Sequence, residues 1–568
     1  MEGVVKMRKL HIQQFLELTD TLASACRELK TQRDEDFFNL CAEIQEFVSQ
    51  MFAYAENMMG EDTVISQLLR ELYELLYFAS QGQAQIKQIL HTVQKLGREA
   101  LCLKPDKIEV AFFCYKASMS DSLESVYFAA KNDPACDAYF IPIPYFDKNP
   151  DGSFGQMHFE GTGYYSDQYE LTDWQKYDVE NRRPDVIFIM NPYDEQNRVT
   201  SVHPAFYSSR LKNHTDMLVY IEYGLLYWVY KDSFAPEAFE DYKKNGIITP
   251  AYIHCDYAIS YSEEVAQAGR QLFAAHPEIA ELYGITQQKA KEKFIPLGSP
   301  KFDKILNIEK EDCFLPLEWS EKIQGKKVVL YNTGLTEFLK SSKQQLEIQK
   351  EYAAKDSWYF AKVRSIIEAF KDSEEAVLWW RPHPLFEATL RSMRPEFLRE
   401  YLKIVEEFKD IDEGIFDITE DLHRAIVYSD AMISDESSLL LLYAITGKPF
   451  YIPAISNALP NPTVHDGPAF FYPLQVRLDK MRVAKGANIW NGNYCIWWPV
   501  FSEEDAVYNI RFENFPKRFL RYVLKKDQYE DREEYAMLQK KMVTDFVINA
   551  DGTAGQKIYE FVRQKTIC

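Results

Sequence analysis

The chain has 568 residues, 46% hydrophobic and 27% charged, a globular balance with length for roughly three or four domain-sized units. Its formal charge of −21, from 65 basic and 86 acidic residues, argues against broad electrostatic binding to nucleic acid or to an anionic bilayer. Nine scattered cysteines without a CxxC pair indicate neither a disulfide framework nor a structural zinc, and no run of about 18 apolar residues marks a signal core or a membrane span, so the chain reads as cytoplasmic.

Residues 1–104 read as helical. Apolar residues recur at helical spacing in three runs, around Leu10–Leu22, Phe37–Met51 and Ile65–Leu90. The turn Met59-Gly60-Glu61-Asp62 separates the last two, with Asp62 the expected N-cap. This region is either a docking or dimerisation module, giving a homo-oligomer, or a covering layer packed on the next domain.

At Ile108 the pattern changes to alternation. Strands are expected at Ile108–Cys114, Ala138–Ile143, Val186–Met190, Leu218–Ile221 and Tyr257–Ser260, with a helix over Asp121–Lys131. The stretch Asp147–Lys176 lacks periodicity and reads as a long excursion that shapes a ligand site. This α/β domain spans 105–300. A second one, 301–500, carries strands at Val328–Asn332, Ala376–Trp380, Ile415–Asp417, Ala431–Ser434 and Phe450–Ile452, with helices at Met393–Glu407, Leu422–Tyr428 and Glu436–Ile445. Residues 501–568 are mainly helical and pack back on the domains. Two tandem doubly wound α/β domains place a ligand cleft at facing carboxyl ends of strands.

Walker A, GxGxxG, HExxH and calcium-loop patterns are absent, so no cofactor or metal site is expected. Three segments carry chemistry instead. In Arg381-Pro382-His383-Pro384 the preceding strand delivers a guanidinium and an imidazole to its carboxyl end, where they can clamp a phosphate and donate a proton. In Ser434-Asp435-Glu436-Ser437-Ser438 a strand meets a helix start, offering free amides and hydroxyls to an anion, with Asp435 or Glu436 for a sugar hydroxyl. In Leu297-Gly298-Ser299-Pro300-Lys301-Phe302-Asp303 a tight turn places Ser299 between the two domains, as a phosphate donor, a hinge, or both.

These segments occur in one order with Asp551-Gly552-Thr553-Ala554-Gly555 and with the stretch Asp430–Lys448, DAMISDESSLLLLYAITGK. Together they resemble the CDP-glycerol:poly(glycerol phosphate) glycerophosphotransferases of teichoic acid synthesis, over residues 105–565 and most strongly over 290–455. The resemblance implies a GT-B-like fold of two Rossmann-like domains facing a cleft, with the nucleotide held mainly by the second. It implies a CDP-glycerol or other CDP-alditol donor, a polyol or glycan acceptor of a cell-wall or surface polymer, release of CMP, and peripheral work at the inner membrane face. By carry-over, Arg381 and His383 contact donor phosphates, and Ser437 and Ser438 bind phosphate. Lys116, in the turn after the first strand, matches a related family turn. Family members carry Trp-His-Gly with a catalytic His; the matching segment here is Glu222-Tyr223-Gly224. Glu222 is then a candidate base, and His203 another. Asp194 and Glu195, after Val186–Met190, are candidates for acceptor hydroxyls, with Tyr223 beside them. Two other readings are a GT-B glycosyltransferase using a nucleotide sugar and a non-catalytic nucleotide-binding scaffold.

Overall fold

A computed structural model describes residues 7–60, 62–83, 85–197, 199–225, 249–275, 284–335, 338, 358–371, 373–435, 437–451, 489–490, 493–494, 514–526 and 532–567. Four helices open it: α1 (Lys9–Glu28), α2 (Asp34–Met59), α3 (Val64–Ser80) and α4 (Ile86–Leu101). Their apolar stripes meet one another. Phe15, Leu22, Val48, Leu69, Leu72 and Leu96 form a core that includes no residue of the sheets, so these helices are a bundle and not a layer lent to the next domain. The cap of α3 is Thr63, whose hydroxyl accepts from Ser66 N–H at 3.1 Å, and not Asp62. The bundle is tied to the next unit through buried Arg8, which donates to Asp185 and Glu109 at 2.9 Å each.

The first sheet has the order β2-β1-β5-β7-β8-β9 and is parallel throughout. Its strands are β1 (Ile108–Cys114), β2 (Cys136–Pro142), β5 (Val186–Ile189), β7 (Met217–Ile221), β8 (Tyr257–Ser260) and β9 (Phe294–Pro296). All seven residues of β1 are buried, as a strand covered on both faces requires. The 3₁₀ turn Ala117–Ser122 and α5 (Glu124–Lys131) follow it, so the expected helix starts three residues late.

The aperiodic stretch is partly regular. β3 (Tyr145–Lys148), β4 (Phe154–His158) and β6 (Thr200–Val202) make a small antiparallel sheet. β4 is largely exposed while β6 is buried, and strands of three to five residues are too short for a periodicity count.

The second sheet has the order β12-β11-β10-β13-β14, again parallel: β10 (Lys327–Thr333), β11 (Ala376–Pro382), β12 (Gly414–Phe416), β13 (Ala431–Ser434) and β14 (Phe450–Tyr451). Trp379 and Trp380 lie wholly inside its core. Helices Asn514–Val523 and Arg532–Phe546 add Phe519, Val543 and Phe546 to this second core. The helix Ala554–Ile567 crosses back, and Ile558, Tyr559 and Val562 enter the first. Two parallel α/β units facing one cleft, with a helical N-terminal region, make the fold GT-B-like as expected.

Two of the motif segments meet at the joint between the units. The Asp303 carboxylate accepts from the backbone N–H groups of Ala554 (3.1 Å) and Gly555 (2.7 Å) and from Ser125 Oγ (2.7 Å). It thereby satisfies the first free amides of the last helix. Gly555 must be glycine, because a Cβ there would lie 2.2 Å from Ser125 Oγ. Gly298 has φ +96°, and a Cβ on it would lie 2.3 Å from the Ile548 carbonyl oxygen. Gly298→Ala should therefore lower stability by about 2 kcal/mol or more, combining left-handed strain and overpacking. A urea midpoint equal to that of the parent would refute this.

Candidate functional site

A cleft of about 330 Å³ opens between the two α/β units. The second unit contributes the turn that ends β11. Strand pairing holds Arg381 and Pro382 in the sheet, and His383 N–H donates to Thr333 O of β10 at 2.9 Å, fixing where the chain leaves it. The backbone N–H of Leu385 donates to His383 Nδ1 at 3.1 Å. Nδ1 is thus the acceptor, and the proton of the neutral ring sits on Nε2. Burial first, and the Lys116 charge second, push His383 down to about 4. It is neutral at physiological pH and acts as a hydrogen-bond donor.

The first unit contributes Lys116, Ser118 and Glu160. Lys116 Nζ donates to Tyr145 Oη at 2.9 Å and lies 4.3 Å from that ring's centroid. Burial lowers its pKa, and Glu160, Asp147 and Glu420 pull it back up. Glu160 accepts from Tyr145 Oη (2.9 Å) and from Ala117 N–H (2.7 Å), one bond to each carboxylate oxygen. Each oxygen keeps a further lone pair. Sequence reasoning missed Glu160, because it lies in the aperiodic stretch and only the small sheet's β4 aims the chain at the cleft.

Of the residues expected at the site, His383, Arg381 and Lys116 line this cleft together. Arg381 does so with its guanidinium already engaged: Asp417 Oδ2 lies at 2.8 Å, and the Thr419 carbonyl accepts from it as well. The guanidinium expected to clamp a phosphate thus lines the cleft as one half of a buried ion pair.

The Ser434–Ser438 segment does not line the cleft among the described residues. The Asn332 amide donates to Ser434 Oγ at 2.9 Å and Ser437 Oγ at 3.1 Å, stitching β10 to the end of β13. Asp435 is held by Gly334 N–H (3.0 Å), Tyr359 Oη (2.7 Å) and buried Lys362, which engage the carboxylate expected to hold a sugar hydroxyl. The helix starts at Leu439, directly after Ser438, and spans Leu439–Ala444, later than expected. Glu436 lies outside the described residues. Ser299 is buried in the joint, its hydroxyl without a hydrogen-bond partner among the described residues.

The candidate bases are also elsewhere. Glu222 is buried just past β7, where Tyr252 Oη (2.7 Å) and Ser260 Oγ (3.1 Å) donate to Oε1. Burial raises it to about 7. Tyr223, beside it, pairs with Tyr193. His203 accepts from Ala205 N–H, stacks on Phe146 and meets the Trp174 ring at a tilt. Asp194 turns inward, at φ +45°, to accept from Ser208 N–H (2.8 Å) and Oγ (2.5 Å), so it caps the helix Ser208–Leu211. Burial lifts it to about 7. Glu195 is exposed.

The Glu222 shift makes a stability prediction. The folded state keeps a proton that the unfolded chain releases near 4.5. Stability from this group is full below that pH and is lost as pH rises through 7. Glu222→Gln, which keeps the shape without the charge, should gain on the parent from pH 5 to 8, by roughly 3 kcal/mol at most. Parallel pH profiles of parent and variant would contradict it.

Among the described residues no helix is long and apolar enough to cross a membrane. No curated protein matches the chain. Among solved structures, the wall teichoic acid polymerase TagF is 14% identical, with 88% of this chain and 98% of that one covered and a TM-score of 0.39. The S. aureus MnaA–UDP complex is 10% identical, covering 81% and 96%, with a TM-score of 0.41. A UDP-N-acetylglucosamine 2-epimerase is 13% identical over the same shares, with a TM-score of 0.38. Residues 248–456 match the profile described as CDP-Glycerol:Poly(glycerophosphate) glycerophosphotransferase. That span holds the Leu297–Asp303 side of the joint, the Arg-Pro-His-Pro turn and the β13 segment, and over it the chain is similar to that family.

Proposed function

We propose that the protein transfers glycerol phosphate, or a related alditol phosphate, from a CDP-alditol to an acceptor hydroxyl in the synthesis of a wall or surface polymer. The observation that carries this reading is the cleft itself. The neutral His383 donor of one unit and the buried Lys116 cation of the other line one space of a size suited to a small ligand. A hydrogen-bond donor and a cation set across a narrow gap suit a diphosphate whose charge shifts as it breaks.

In this reading the acceptor oxygen attacks the phosphorus that bears the alditol. The new P–O bond forms as the bond to the bridging oxygen breaks, and CMP leaves with the electron pair. The hydroxyl proton must go to a base. Glu160 is the carboxylate that the first unit places in the cleft, whereas Glu222 and His203 do not line it. We assign the base to Glu160 on that placement. Lys116 and His383 balance charge on the phosphoryl oxygens. His383 cannot be the base: its Nδ1 lone pair is taken by Leu385 N–H, and burial disfavours its protonation.

Titration calorimetry with CDP-glycerol, CDP-ribitol, CMP and UDP- and GDP-sugars tests the donor. Selective binding of the CDP-alditols supports the reading. Binding of a nucleotide sugar in their place would leave the cleft and replace the chemistry, and binding of none would refute the reading. Glu160→Gln tests the base: it should cut kcat by about 10²-fold or more while leaving donor affinity within a few-fold. An unchanged kcat would remove Glu160 from the mechanism.

A further inference from the structure

A second cavity, of about 500 Å³, lies on the other side of the segment that carries Glu160. Its lining includes Met157, Phe159, Thr162, Thr172, Trp174 and Gln175. Consecutive residues thus serve two spaces: Glu160 lines the interdomain cleft, while Phe159 and Gly161 line this groove.

The groove is built and held. A Cβ on Gly161 would come within 2.6 Å of the Phe159 ring, so glycine is what lets that ring lie against the backbone. The Trp174 ring is backed by Phe206 and His203, each with its centroid 5.9 Å away. The opposite wall is pinned to the first sheet, where Thr172 N–H donates to Phe140 O of β2 at 2.8 Å. Phe159 is nevertheless 45% exposed and Met157 53% exposed.

The chemistry of the lining narrows the ligand. Among the described residues no lysine or arginine lines the groove, and the one carboxylate there, Asp173, already accepts from Gln175 N–H at 3.0 Å. A chain of phosphodiesters would find no cation here. Aromatic faces flanked by hydroxyl and amide groups suit a ligand that has apolar C–H faces and a rim of hydroxyls. We propose that this groove binds a neutral pyranose unit of the acceptor and presents its hydroxyl to Glu160 in the adjoining cleft. The link to Glu160 rests on the glycerophosphotransfer reading above; the sugar site does not.

Saturation-transfer NMR on the full chain, with N-acetylglucosamine, methyl glucoside, maltose, cellobiose and a short glycerol phosphate oligomer, tests this. At least one neutral saccharide should bind, and Phe159→Ala, at an exposed position, should weaken it about tenfold or more. Trp174→Phe should weaken it less and CDP-glycerol affinity should not change in either variant. Absence of saccharide binding, binding indifferent to Phe159→Ala, or displacement of the saccharide by the glycerol phosphate oligomer would overturn the proposal. Phe159-dependent saccharide binding without any CDP-alditol binding would keep the groove and refute the transfer reading.

Discussion

His383→Ala is expected to lower kcat about 10²–10³-fold and to weaken CDP-alditol binding, in a protein that stays folded. The size follows from the loss of one fixed donor aimed at developing charge. Three features make this donor fixed. The backbone bond from His383 N–H to Thr333 O sets the turn, the Leu385 N–H bond to Nδ1 sets the ring and its tautomer, and Pro382 and Pro384 flank it. The pH dependence adds a second check. Burial and Lys116 hold the ring neutral down to about 4, so His383 contributes no limb to the kcat profile between pH 5 and 8. His383→Gln, which still offers an N–H, should recover part of the rate. If His383→Ala leaves turnover and donor affinity unchanged, the site is misplaced.

The second large effect is structural. Asp417 is fully buried between Arg381 (2.8 Å), Trp379 Nε1 (3.0 Å), Thr419 N–H (2.9 Å) and Thr419 Oγ1 (2.7 Å), with Arg424 at 3.8 Å. Burial opposes its ionisation, yet Arg381 and the donors around it hold its pKa below the usual carboxylate value. Asp417→Asn keeps the shape and removes the charge, leaving two buried guanidinium groups uncompensated. A loss of about 3–5 kcal/mol is expected. Because Arg381 begins the turn that carries His383, donor affinity should fall with it. The double variant Arg381→Met, Asp417→Leu should be more stable than Asp417→Asn alone, because it leaves one buried guanidinium, Arg424, uncompensated where Asp417→Asn leaves two. Equal stability of the parent and Asp417→Asn in urea would show that the pair contributes nothing.

Parallel sheets announced themselves in the sequence, because strands such as Ile108–Cys114 and Ala431–Ser434 are continuous apolar runs between turn signals. The short edge strand Phe294–Pro296 and the strands of the small sheet did not, being only three to five residues long. At the site, His383 and Arg381 could be placed from a strand followed by Pro-His-Pro. Their partners could not. Whether a carboxylate is free or spent depends on what folds against it, and Asp194, Asp435 and Asp303 are all spent on backbone amides or buried partners far along the chain or just beyond their own turn. Glu160 shows the converse: nothing local marks it, and the small sheet together with contacts to Tyr145, Ala117 and Lys116 brings it to the cleft.

The helix Ala554–Ile567 constrains how the molecule is made. Its Tyr559 hydroxyl donates to Asp133 at 2.7 Å, and its apolar face completes a core begun some 450 residues earlier at Ile108. A ribosome delivers these parts in order, at roughly 5–20 residues per second. The first α/β unit must therefore wait, with one side of α5 and its sheet uncovered, until nearly the whole polypeptide has emerged. The amino-terminal bundle needs nothing downstream for its core and can close at once. Nascent chains arrested near residue 300 should accordingly present a folded bundle beside an α/β unit still open to proteases and chaperones.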